Sequence, residues 1–159
     1  MEELRSIESD EAFGASRIPI QVSTANGLTP GHETEETIAY PMLPCAFEWR
    51  GKRTPQLEGL LDSGSDGLVI PLGIAEFLGL ELRDEEKPMQ VVSHEVPRFS
   101  AHVDFIIGRG GRLFTFRNVT AHIPREGDVP VLIGRDPVFK AYKVTFDDFN
   151  LTFHLVPNG

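Results

Sequence analysis

The chain has 159 residues, of which 40% are hydrophobic and 25% charged, enough for one domain around one core. A formal net charge of −9 argues against a nucleic-acid binder, which needs clustered Lys and Arg, and does not favour anionic membranes. A single cysteine, Cys45, rules out an intrachain disulfide, and no run reaches the ~20 apolar residues of a membrane span. The N-terminus has no basic start followed by an apolar run, so the expectation is a cytoplasmic protein.

Gly and Pro total 27 and are spread along the chain, which suits an all-β fold with many turns. Residues 1–16 are acidic and aperiodic and read as a flexible tail, and 17–36 as an N-terminal extension that is partly strand. Within it, Arg17–Ser23 alternates, with Ile18, Ile20 and Val22 on one side. The folded domain is expected over 37–159. Thr37–Trp49 reads as one or two strands interrupted by Pro41 and Pro44, which predicts an edge. Gln56–Leu61 is a strand that runs directly into Asp62-Ser63-Gly64-Ser65. Gly67–Pro71 is a short apolar strand, and Leu72–Leu78 a brief helix closed by Gly79.

Arg83–Lys87 reads as a charged turn, and Met89–Ser93 and Phe99–Ile107 as strands. Leu113–Ile123 is a further strand, and Val129–Ile133 an apolar one. Asp136-Pro137 reads as a helix start, with Asp136 as cap. Val144–Phe146 and Leu151–Leu155 form a terminal hairpin.

The chemistry centres on Asp62. An apolar strand delivers an aspartate into a Ser-Gly-Ser turn that bends sharply, and a second apolar strand leaves it. One carboxylate hydrolyses little, but two around one water work as a pair. At about 3 Å their repulsion keeps one protonated and the other ionised, so one accepts a proton while the other donates. The chain holds no second Asp-Ser/Thr-Gly, so a two-carboxylate site requires a second copy across a two-fold axis.

These residues resemble the retropepsin-like aspartic proteases, single-domain relatives of pepsin that work as homodimers. Asp62-Ser63-Gly64 matches the family's Asp-Thr/Ser-Gly, and Leu132-Ile133-Gly134-Arg135-Asp136 its later apolar-apolar-Gly-Arg-Asp/Asn element. The resemblance spans roughly 40–155. It implies a closed β-barrel, the acid-protease half domain, with one or two short helices. It implies an aspartic endopeptidase acting on a peptide or protein substrate, with Asp62 catalytic and no cofactor or metal. It gives Ser63 an interlock with its twin, and Gly64 a close backbone approach to the substrate and the other Asp. Ser65 would donate its hydroxyl to the carboxylate, and Asp66 would pair with Arg135, which follows Gly134. A flap over the substrate is expected within Met89–Val103, its tip near Ser93, His94, Glu95 and Val96, without the usual glycine.

Other readings of the same chain are weaker. Cys45 lies in an apolar stretch with nothing to lower its pKa and reads as a small buried thiol. His102 and His122 read as satisfied strand residues, and the five histidines have no tight metal-ligand spacing. Gly108-Arg109-Gly110-Gly111 lacks the Lys-Ser/Thr of a phosphate loop, and no Gly-x-Ser-x-Gly surrounds Ser63 or Ser65. The alternatives are a catalytically inactive dimerisation or peptide-binding module on the same fold, and an accessory subunit of a larger complex.

Overall fold

The computed structural model describes Ile18–Pro19, Gln21–Thr24 and residues 37–159. The acidic tail expected at 1–16 and the rest of the 17–36 extension lie outside the described residues. In chain order the strands are β1 (Ile18–Pro19), β2 (Gln21–Thr24), β3 (Thr37–Tyr40), β4 (Met42–Trp49), β5 (Lys52–Arg53), β6 (Leu57–Leu61) and β7 (Leu68–Val69). Helix α1 (Leu72–Leu78) follows, then β8 (Arg83–Asp84), β9 (Met89–Val91), β10 (His94–Val96), β11 (Arg98–Arg109), β12 (Arg112–Pro124) and β13 (Leu132–Ile133). A helical turn at Arg135–Phe139 leads into β14 (Tyr142–Asp147) and β15 (Thr152–Pro157).

Six strands close into a barrel in the order β4-β6-β13-β7-β12-β11, and β11 pairs back onto β4. Alternation puts Leu43, Cys45 and Phe47 of β4 into the interior, where they meet Val103, Phe105 and Ile107 of β11. Phe47 stacks on Phe105 with centroids 5.1 Å apart. Burial drives the Cys45 thiol up to about 12, which fits a packing role and no nucleophilic one.

The edge expected from Pro41 and Pro44 is not what forms. Pro41 breaks the chain between β3 and β4, but β4 has neighbours on both sides. Its β6 ladder covers Met42–Cys45 and its β11 ladder starts only at Cys45, so Pro44 sits where β11 asks for no N–H. The charged turn expected at Arg83–Lys87 is also corrected. Arg83 and Asp84 pair with Ser100 and Phe99 as a short strand, because β11 runs long enough to offer them a partner.

Helix α1 has the predicted bounds. Gly79 ends it at φ 66, with its N–H on Glu76 O and that of Leu80 on Ala75 O. Asp136 does not cap the later helical turn with its side chain. Its carboxylate accepts a 2.9 Å bond from Lys140 Nζ instead. Outside the barrel, β1, β15 and β14 form a three-stranded sheet, while β2–β3 and β9–β10 form two separate hairpin ladders. No helix among the described residues is long and apolar enough to cross a membrane.

Candidate functional site

Two barrel strands running parallel, β6 and β13, pair Leu60 with Leu132 and Leu61 with Ile133. They carry the two sequence elements singled out above to one end of the barrel. There Asp62 N–H donates to Ile133 O at 3.0 Å. Past this point the chain turns, and Ser65 N–H bonds back to Asp62 O at 3.1 Å. Gly64 N–H donates to Asp62 Oδ1 at 2.9 Å, so the half-buried carboxylate is aimed by the backbone of its own loop.

The later element clasps that loop. Arg135 N–H donates to Ser65 O at 2.9 Å and Asp136 N–H to Asp66 O at 3.0 Å. Gly134 makes the crossing: a Cβ there would fall 2.4 Å from Gly67 O and 2.5 Å from Ser65 O. No side chain fits between two backbones this close. The Arg135 guanidinium pairs with the Asp66 carboxylate, joining the residue types expected to meet. In the single chain both are open to water, with 58% and 88% of their side chains exposed.

Two expectations are revised. Ser65 does not donate to the Asp62 carboxylate within the chain. Its hydroxyl donates to Gly67 O at 3.0 Å, because the loop curls its next carbonyl within reach. His102 and His122 do lie on strands, but the Nδ1 of each is buried without a hydrogen-bond partner among the described residues. The His122 ring lies against Gly67, 3.3 Å from where a Cβ would stand. Burial, and then the nearby Arg98 charge, push His122 below its usual value.

The expected flap region folds as a hairpin of its own. His94 pairs with Val91, Glu95 with Gln90 and Val96 with Met89. The turn is Val92-Ser93, so Ser93 stands at the tip, while His94, Glu95 and Val96 form the returning strand. Ser93, His94 and Glu95 are exposed and Val96 is buried. Val92 was not singled out from the sequence. It holds φ 42 and is 99% exposed, in a backbone region that glycine prefers. The only signal for it was the missing glycine. Ser63 is exposed on the Asp62 loop. No group of three or more His, Cys, Asp or Glu suited to a metal ion occurs among the described residues.

No protein-family model matches the sequence, and no curated protein does either. Solved structures do match. A retropepsin-like aspartic protease from Rickettsia conorii is 14% identical with a TM-score of 0.50, covering 70% of this chain and 89% of that one. EIAV protease, solved with an inhibitor, is 19% identical with a TM-score of 0.45, covering 71% and 93%. The retroviral protease-like domain of Ddi1 from Leishmania major is 15% identical with a TM-score of 0.46, covering 74% and 94%. The chain has a retropepsin-like fold: all-β, with a closed six-stranded barrel and two short helical segments.

Proposed function

We propose that this chain is the protomer of a homodimeric aspartic endopeptidase, with Asp62 of each copy supplying one of two catalytic carboxylates. The observation that supports this most is the Asp62 loop, its carboxylate held by Gly64 N–H and its backbone clasped by Gly134–Asp136. A structural turn has no need of so constrained an acid. Two such loops across a two-fold axis place two carboxylates around one water. The ionised one takes a proton from the water, which attacks the peptide carbonyl, while the protonated one donates to the carbonyl oxygen. The proton then passes to the leaving amine as the tetrahedral intermediate collapses. Ser63 of each copy braces the pair, and Gly64 leaves room for the substrate.

The hairpin at Met89–Val96 serves as the flap, with Ser93, His94, Glu95 and Val96 as its substrate-facing segment. The substrate is an extended peptide or protein segment held by strand-like pairing. The domain is 37–159, and the reading places the enzyme in the cytoplasm. The test is cleavage of a diverse peptide mixture at about pH 5, comparing wild type with Asp62→Asn at high protein concentration. Cleavage by wild type alone is expected. Cleavage by both, or by neither with a folded dimer, removes the assignment. The second reading, an inactive peptide-binding module on the same fold, draws on Val92, since a strained tip residue is poorly suited to a flap that must open and close.

A further inference from the structure

Beside the Asp62 loop the barrel wall carries polar groups that the described chain leaves unsatisfied. In the β11–β12 ladder Ser100 stands opposite His122 and Arg98 opposite Pro124. Residues two apart on a strand share a face, so Arg98, Ser100 and His122 project together. Ala101, Ala121 and Ile123 take the opposite face, in the core. The Nε of Arg98 and the Nδ1 of His122 are buried without a hydrogen-bond partner among the described residues. The nearby acids are otherwise engaged or exposed. Asp66 pairs with Arg135, Asp84 pairs with Arg125, and Glu85 is exposed. Those two atoms are sealed from water, whereas the Nη atoms of Arg98 and the Nε2 of His122 are not and have no partner among the described residues either, so an outside partner would meet the pair through them.

The position of the cluster says what that partner meets. Gly67 has no side chain, so the His122 ring edge, including Nε2, reaches the backbone of the loop that begins at Asp62. Arg98 opens β11, and only Pro97 separates it from Val96, the end of the flap hairpin. His122 therefore lies beside the Asp62 loop and Arg98, its neighbour across the ladder, beside the base of the flap hairpin. The charges that act on His122 come from all sides: Arg98 on β11, Glu85 in the segment before the flap, and Asp66 on the loop.

We propose that Arg98 and His122 form a subsite that takes an acidic side chain, Asp or Glu, of the bound peptide. This rests on the endopeptidase reading. A carboxylate offers two acceptor oxygens that match the fork of a guanidinium, and a neutral imidazole adds one N–H. An uncharged amide lacks that match. The chain's overall charge of −9 repels acidic peptides, so a preference for them must come from a local site.

The test is affinity selection of a pool of short random peptides on Asp62→Asn protein, which retains the cleft without turnover. Asp and Glu should be enriched about tenfold over Asn and Gln at one position of the selected motif, as a charge-assisted bond predicts. The ratio should fall to near one with Arg98→Gln added, and stay intermediate with Arg98→Lys, which keeps charge without the fork. Binding of a selected acidic peptide should also raise the His122 titration midpoint seen by NMR, and its amide counterpart should not. Equal retention of acids and amides, or an acidic preference untouched by Arg98→Gln, overturns the subsite. Cleavage of the same pool by wild type is scored separately. No cleavage, with Arg98-dependent acidic retention, removes the endopeptidase reading and keeps the subsite. Cleavage without acidic preference removes the subsite alone.

Discussion

Gly134 is the residue whose replacement the geometry forbids most clearly. Its φ of −93 and ψ of −165 suit any amino acid, so the restriction is one of space alone. The atoms a Cβ would meet are backbone, Gly67 O at 2.4 Å, Ser65 O at 2.5 Å and Gly67 N at 2.9 Å, and backbone cannot rotate away. Gly134→Ala should cost about 1–3 kcal/mol or more, the range for an overpacked interior, measured by urea unfolding. Gly59→Ala is the control. Its nearest neighbours are Ile133 Cδ1 at 2.6 Å and Cγ1 at 2.9 Å, atoms of a buried side chain that has more room to adjust than backbone has, so the cost should be smaller without vanishing. His122 gives a second prediction at this scale. Burial and Arg98 lower its pKa below the ordinary 6.5, so the unfolded chain takes up the proton first as pH falls. Its contribution is therefore complete above about pH 6.5 and is lost progressively below it, as pH falls through the folded value. His122→Gln should flatten the decline in urea midpoint over that window. An unchanged slope would mean that the ring is already solvated.

Among the elements, the β9–β10 hairpin, like β2–β3, pairs with no other strand of the described structure, which leaves it free to move. A two-stranded ladder with three residue pairs is marginal by itself, so it should open well before the barrel does. Val92 in the left-handed region adds a cost of about 1–2 kcal/mol that a glycine would not bear. Val92→Gly should slow amide exchange at Val91 and His94, the pair that exchanges hydrogen bonds across the turn, while leaving that of β11 and β12 unchanged. Faster exchange at those two amides would show that glycine's extra freedom outweighs the relieved strain.

The same hairpin marks how far the sequence could be read. Helix α1, the terminal hairpin and the strand leading into Asp62 are local signals: a glycine just past a helical run, alternation, and an apolar run meeting a turn. The meeting of Asp62 with Gly134–Asp136 came from the resemblance, since no local pattern joins positions so far apart. Three features needed the three-dimensional pairing. Pro44 is tolerated inside the barrel because its two ladders are offset. Arg83 and Asp84 become a strand because β11 is long enough to pair with them. His122 has its Nδ1 buried without a partner while its other ring edge lies against Gly67, a contact between distant segments that no local pattern shows.

At the scale of the whole molecule, the decisive quantity is the affinity of one copy for another. Each chain carries a charge of −9, so association brings like charges together, and salt should tighten the proposed dimer. Apolar groups favour the same association: Phe146, Phe149 and Leu151 are exposed at the β14–β15 hairpin, Phe149 to 94%. Among the described residues, strand β14 also lies at the edge of its sheet, paired only with β15. The Asp66–Arg135 pair separates the two states of the chain. In the single chain it is exposed, and exposed ion pairs contribute about 0–1 kcal/mol, so Arg135→Ala should leave monomer unfolding almost unchanged. If dimerisation covers the loop that holds Asp66, the lone carboxylate left by the substitution becomes buried and unpaired. That outcome is much more costly, at about 3–5 kcal/mol in the limit of full burial. Analytical ultracentrifugation of wild type and Arg135→Ala, at low and high salt, reads both effects. The dissociation constant should rise at least about tenfold with the substitution and fall for both proteins as salt increases. A dimer that Arg135→Ala leaves unchanged would place the two-fold contact away from the Asp62 loop. Two Asp62 carboxylates could not then share a water, so this measurement tests the catalytic assignment without a substrate.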